Sequence, residues 1–179
     1  MKRLASNGPT LSFDEFGPLE LRPQAGRTWT RRPQRWPATY HRPHGVRHWL
    51  AFYDVHANRL WGYVRKRKRW QEVLDVLQHV RALYPPQKRI HLILDNFSPH
   101  GKAEVRTWCR QNNVHLIWTP TNASWLNPIE CQFTPVKEFV IRNTHYQSHK
   151  DLADALRRYA HYRNRDARKK AKERLLKRH

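Results

Sequence analysis

Acidic residues are scarce in this sequence: 14 Asp and Glu stand against 35 Lys and Arg, a formal net charge of +21 over 179 residues. Cysteine is scarcer still. Cys109 and Cys131 make neither a disulfide framework nor a zinc site, and both are read as reduced bystanders. No apolar run approaches the ~18 residues of a membrane span, and the opening MKRLASNGPTLSFDEF holds no hydrophobic stretch ahead of a cleavage site. The expectation is a soluble cytoplasmic protein with no membrane partner. No internal repeat is visible. Apolar residues are not lacking: at 39% of the chain, with eight Trp, they argue against disorder, and the length suits one domain with a real core.

So large an excess of positive charge concentrates a polyanion around the protein and speeds encounter with it. Nucleic acid is the obvious partner, because phosphate neutralisation supplies most non-specific affinity. A ribosomal or chromatin-like structural protein would share this charge, so composition does not choose between enzyme and binder.

Hydrophobic patterning gives the order of elements. TLSFDEFG reads as a strand broken at Gly17-Pro18, and residues 22–47, rich in Arg, Pro and Trp, as an irregular basic insert. HWLAFYDV and RLWGYVRK flank a short HAN turn, which is a hairpin signal. Trp70, Val73, Leu74, Leu77, Val80 and Tyr84 then share a helical face that Pro85-Pro86 ends. RIHLIL and VHLIW are continuous apolar strands of the kind covered on both faces. Between them, Ser98 as N-cap and Pro99 at the first position open a helix to about Asn112. Asn127-Pro128 opens the next helix, and Ser148 with Asp151 forms a capping box for the last. Antiparallel strands followed by βαβα units imply a mixed sheet flanked by helices, an α/β fold. The handedness of crossovers makes RIHLIL and VHLIW parallel neighbours or nearly so.

Within this order the few acids fall in telling places. Asp14 lies near the end of the first strand, Asp95 closes RIHLIL, and Glu130 lies in the first turn after Asn127. Catalytic groups of open α/β sheets gather outside the carboxyl ends of the strands, so these three can converge. Gathered carboxylates repel unless neutralised. Hard divalent cations relieve that repulsion, and Mg²⁺ typically takes one or two carboxylates with water and substrate phosphate. Two such ions about 3.5–4 Å apart can activate an attacking oxygen and stabilise a leaving one in phosphodiester displacement. Each acid has a plainer alternative: an Asx turn or Arg partner for Asp95, helix capping with Asn127 for Glu130, an ordinary ion pair for Asp14. Glu15 competes with Asp14 for the same role, and Asp54 is set aside because its segment reads as a turn.

Together SFDEFG, LILDNFSPH and TPTNASWLNPIE resemble the three catalytic blocks of DDE transposases, most closely the bacterial insertion-sequence branch of the mariner superfamily. Asp95 and Glu130 are separated by 34 residues, the spacing of that group, and GRTW at 26–29 also resembles its pattern. The resemblance implies an RNase H-like fold with a mixed five-stranded sheet. It divides the chain into a stub at 1–10, a catalytic domain at 11–162 containing the 22–47 insert, and a basic tail at 163–179. It makes Asp14, Asp95 and Glu130 the metal-binding catalytic triad for two Mg²⁺ or Mn²⁺ ions, with Asn96, His100 and Asn127 ordering the site. It implies hydrolysis at a transposon end and attack of the freed 3′-hydroxyl on target DNA, usually at TA. It implies DNA as partner, a homodimer on that DNA, and a nucleoid-associated location.

The chain departs from the family's pattern in two respects. Only about a dozen residues precede Asp14, where the family carries helix-turn-helix modules, so those are expected on a separate polypeptide or in a missing domain. Thr134-Pro135 falls in the helix after Asn127, where proline removes a donor and should kink or break the helix.

For DNA contact, the expected residues are Arg27 of the insert and the RKRKR run of Arg65, Lys66, Arg67, Lys68 and Arg69. Two other readings remain open: a catalytically inactive DNA-binding remnant, and an RNase H-like nuclease acting on RNA or hybrids.

Overall fold

A computed structural model of the chain describes residues 8–24 and 44–176. Arg27, the GRTW segment and most of the basic insert lie outside the described residues. Five strands form one mixed sheet in the order β3-β2-β1-β4-β5. They are β1 (Thr10–Glu20), β2 (Val46–Asp54), β3 (Arg59–Arg65), β4 (Ile90–Leu94) and β5 (Val114–Trp118). The first three pair antiparallel, while β4 lies parallel to both β1 and β5. The hairpin and the parallel pair agree with the sequence reading.

Helix α1 (Trp70–Arg81) carries the chain from β3 to β4, and α2 (Ala103–Gln111) carries it from β4 to β5. Their apolar faces, with Val73, Val76, Leu77, Val80 and Val105, cover one side of the sheet against Leu11, Phe13, Leu50, Phe52 and Leu92. The opposite side is covered by α3 (Glu130–Val136), a π-helical turn at Lys137–Ile141, and α4 (His149–Leu176). There Ile129, Phe133, Val140, Leu152 and Leu156 pack on Trp49, Ala51 and Leu60. Alternation along β2 explains the split, since Leu50 and Phe52 face one layer while Trp49 and Ala51 face the other. Burying each such large side chain stabilises the fold by about 1.5–3 kcal/mol.

Several boundaries differ from the sequence reading. β1 does not break at Gly17-Pro18; it continues to Glu20 through a register shift between Phe16 and Leu19, an irregularity where proline's missing donor is tolerated. Asp14 therefore sits inside a long strand, not near its end. Ser98 and Pro99 do not start a helix: residues 98–101 are turns, and α2 begins at Ala103. The reason lies in Asp95, which captures the Phe97 amide, and in His100, which is drawn inward. Asn127 does not cap a helix either, because its side chain is committed to β1, and α3 begins at Glu130.

Pro135 lies inside α3, and the helix changes to π-type pairing just beyond it, with the Arg142 amide donating to the Lys137 carbonyl. At the start of α4, Ser148 Oγ accepts from the Asp151 amide as expected of a cap. The basic segment from Arg163 continues that helix without a break to Leu176. Asn164 there brackets the Leu60 backbone, accepting from its amide at 2.8 Å and donating to its carbonyl at 2.7 Å. Among the described residues no helix is long and apolar enough to cross a membrane.

Candidate active site

The parallel pairing of β1 with β4 runs from Thr10↔His91 to Ser12↔Ile93. Continued by two residues, that register sets Asp14 beside Asp95, which follows the last residue of β4. Strand alternation then separates the acids of the first block. Leu11 and Phe13 belong to the α1–α2 layer, so Glu15 shares their side, while Ser12 and Asp14 point to the α3 side.

Glu130 is carried toward the strand of Asp14 because the loop before it is tied to β1. Asn127 is 1% exposed, and its side-chain amide donates to the Phe13 carbonyl at 2.9 Å. Ser12, wholly buried, donates its hydroxyl to Asn127 Oδ1 and accepts from the Ile129 amide at 2.9 Å. Every polar atom of this pair has a use, and Glu130 is the next residue after the anchored Ile129. The Glu130 amide bonds to the Asn127 carbonyl, and its carboxylate has no bonded partner among the described residues. The capping alternative therefore fails.

Asp14 is buried, 8% exposed, with Oδ1 accepting from the Glu15 amide at 2.7 Å. Burial pushes its carboxyl up to about 8; the Glu15 amide opposes this, and the charges of Glu15, Glu130 and Asp95 add to it. Asp14 therefore feels the charge of both Asp95 and Glu130, two acids from distant segments.

Asp95 is treated differently. Its Oδ1 accepts from the Phe97 amide at 3.2 Å and faces His100 Nδ1 at 2.9 Å, so the Asx turn of the plainer reading is present as well. No described residue donates to Oδ2. The His100 hydrogen bond holds the Asp95 carboxyl below its usual range despite partial burial, helped by the Phe97 amide and by the charges of His100 and Lys68. Asn96 binds across the strand end, its side-chain amide donating to the Thr119 carbonyl at 2.7 Å.

His100 is wholly buried, and its Nε2 lies 2.6 Å from Glu15 Oε1. Burial opposes charge on this ring, yet the hydrogen bonds to Asp95 and Glu15 outweigh it and push the pKa up to about 9. The sequence reading named Glu15 only as a rival for Asp14's role. Its actual place was legible in the parity of β1, but its contact with a residue 85 positions away was not.

The basic run divides. Lys68 Nζ lies 3.7 Å from Glu15 Oε2 and 4.2 Å from the centre of the Phe97 ring, which puts it at the site. Two of the residues expected to contact DNA are in ion pairs: Arg65 with Asp75 at 2.6 Å, and Arg69 with Glu72 at 2.7 Å at the start of α1. Lys66 and Arg67 are exposed. Asp54 accepts from the His56 and Ala57 amides in the hairpin turn, paired with Leu11 at the start of β1 and away from the acids. Cys109 is buried and Cys131 exposed, both free.

Among the described residues no three His, Cys, Asp or Glu side chains are already drawn together tightly enough to cage a metal ion. The donor set nonetheless fits a divalent cation. A buried carboxyl pushed to about 8 in the company of other carboxylates is the electrostatic situation that a hard cation relieves, and Mg²⁺ needs only one or two carboxylates beside water and phosphate.

Residues 9–153 match the family described as DDE superfamily endonuclease. A curated relative, the "Insertion element IS630 uncharacterized 39 kDa protein" of Shigella sonnei, is 26% identical over 87 residues, 48% of this chain and 25% of that protein. The fold is similar to that of a Mos1 transposase paired-end complex with left transposon end, at a TM-score of 0.65 and 14% identity, covering 88% of this chain and 49% of that one. A Mos1 mariner paired-end complex with Mn matches at a TM-score of 0.61 and 14% identity, over 84% and 47% of the two chains. The chain thus spans a quarter of the curated relative and about half of each transposase.

Proposed function

From the premise that this chain belongs to the DDE superfamily endonucleases, in the branch of mariner transposases and insertion-element proteins, we propose that it is a metal-dependent transposase catalytic domain. It would cut a phosphodiester bond at a transposon end and join the freed 3′-hydroxyl to target DNA. The observation that supports this is the β1–β4 register that sets Asp14 beside Asp95, together with the Asn127 and Ile129 bonds that tie the segment carrying Glu130 to the same strand.

Asp14, Asp95 and Glu130 would hold Mg²⁺ or Mn²⁺, which supplies charge stabilisation at the phosphoryl oxygens and a more acidic attacking water or hydroxyl. The chain's own groups set the geometry. Ser12 and Asn127 fix the start of the helix that presents Glu130. Asn96 holds the strand end that presents Asp95. Lys68 offers a positive charge beside the acids for a phosphate of the strand being cut, with exposed Lys66 and Arg67 tracking the backbone. Trp125, 73% exposed in the loop before Glu130, provides a face on which a base can stack. Water, then the 3′-hydroxyl, attacks phosphorus in line and the leaving oxygen departs opposite, so no covalent enzyme intermediate forms.

Recognition of the ends by a helix-turn-helix module outside these residues, pairing as a homodimer on DNA, and use of two ions belong to the same proposal and rest on family likeness.

Plasmid nicking with Mg²⁺ or Mn²⁺ tests the chemistry. Asp95→Asn should abolish nicking while DNA affinity stays equal or rises, because a negative charge near phosphate is removed. Loss of folding and DNA binding together in that variant would make Asp95 structural. Cleavage of RNA–DNA hybrids with plasmid left intact would favour the nuclease reading.

A further inference from the structure

We infer that Glu15 and His100 form a buried positioning pair that fixes the Asp95 carboxylate for the metal, an inference that rests on the reading of Asp95 as a metal ligand. His100 lies between two carboxylates: Nε2 is 2.6 Å from Glu15 Oε1 and Nδ1 is 2.9 Å from Asp95 Oδ1. Bonded on both edges, the ring is held in a fixed plane. That plane decides where the Asp95 carboxylate points.

The surroundings leave the ring little freedom. Phe13 and Phe97 flank it with ring centres 5.2 and 5.4 Å away. The Glu15 side chain is only 4% exposed, and its second oxygen faces Lys68 at 3.7 Å. With Oδ1 of Asp95 occupied by His100 and the Phe97 amide, Oδ2 is the oxygen left for a cation. Without such a tether Asp95, which is 26% exposed in its side chain, would sample rotamers that face solvent. Glu15 itself sits on the opposite side of β1 from Asp14, which keeps it out of the ligand set although the two are adjacent in sequence.

This arrangement has the form of an outer carboxylate fixing an inner ligand, here through an imidazole. Removing partners of that kind typically costs 10–100-fold in metal affinity. The test is Mn²⁺ binding to the full chain without DNA, followed by electron paramagnetic resonance of the free ion, for wild type, Glu15→Gln, Asp95→Asn and Asp14→Asn. Glu15→Gln should stay folded and bind Mn²⁺ about 10–100-fold more weakly, while Asp95→Asn and Asp14→Asn lose more. Unchanged affinity in Glu15→Gln overturns the inference. Loss in Glu15→Gln as complete as in Asp95→Asn also overturns it, by making Glu15 a ligand. Wild-type affinity in Asp95→Asn and Asp14→Asn would instead sink the functional reading beneath it.

Discussion

The side-chain amide of Asn127 donates to the backbone carbonyl of Phe13 across 2.9 Å and 114 residues of sequence. That bond, with the Ser12 hydroxyl closing the other side of the amide, joins the block carrying the third acid to the strand carrying the first. Glu130 comes near enough to Asp14 for its charge to act there because Asn127 is anchored, and the distance in sequence is irrelevant once it is.

Asn127→Ala should therefore damage both stability and activity. It leaves the Phe13 carbonyl and the Ser12 hydroxyl proton buried without their partner, at about 1–3 kcal/mol for each group. Urea unfolding measures that loss. Asn127→Asp should be no better, since a carboxylate oxygen would face the Phe13 carbonyl. If either variant nicks DNA at the wild-type rate once folded, the anchor does not position Glu130.

For Glu130 the expected separation is the reverse. Its carboxylate makes no capping bond, so Glu130→Gln should unfold within about 0.5 kcal/mol of wild type, as surface changes do. Nicking in Mg²⁺ should be lost. An active Glu130→Gln enzyme would return this residue to an ordinary helix-start role.

The acidity of Asp14 predicts a pH dependence with a definite sign. Burial is the chief cause that raises its pKa from 3.8 to about 8, so over that interval the folded chain holds a proton that the unfolded chain releases. Metal-free stability contributed by this group must then fall as pH rises from about 3.8 to about 8. Asp14→Asn carries no such penalty, and its stability relative to wild type should grow across the same window in chelator. His100, raised to about 9, adds stability that is complete below 6.5 and lost as pH rises through about 9; it does so in both proteins and cancels in the difference. Thermal melts in EDTA from pH 5 to about 8.5 decide the matter, and a constant difference would falsify the buried-acid assignment.

Among the cations, pairing decides which are available. Lys66→Ala with Arg67→Ala should weaken DNA binding for all sequences alike and flatten its salt dependence by roughly one unit of log–log slope for each phosphate no longer neutralised. Arg65→Ala removes the partner of Asp75, so its effect should appear in stability more than in that slope. Binding isotherms at several salt concentrations separate these outcomes.

Much of this molecule was legible from residue order. Continuous apolar runs marked β4 and β5, alternation and a short turn marked the β2–β3 hairpin, and a helical face with Pro85-Pro86 behind it marked α1. Those signals are local: each follows from what neighbouring residues can bury. The errors were local signals overruled at a distance. Ser98-Pro99 has the chemistry of a helix start, but Asp95 and the inward pull on His100 hold that segment in turns. Asn127 has the chemistry of a cap, but two buried atoms of β1 claim its side chain. A further contact no local signal announced is the pairing of Arg65 and Arg69, in the basic run, with acids on α1.

Residue order was enough for the elements and the excess of positive charge, because propensity, burial and charge are properties of a few adjacent residues. Which groups meet was settled only by packing in three dimensions. Asp14 and Glu15 are neighbours in the chain, and only pairing β1 between β2 and β4 sends one to Glu130 and the other to His100. Strand alternation divides adjacent side chains between the two faces of a sheet, and what waits on each face is set by crossovers dozens of residues long.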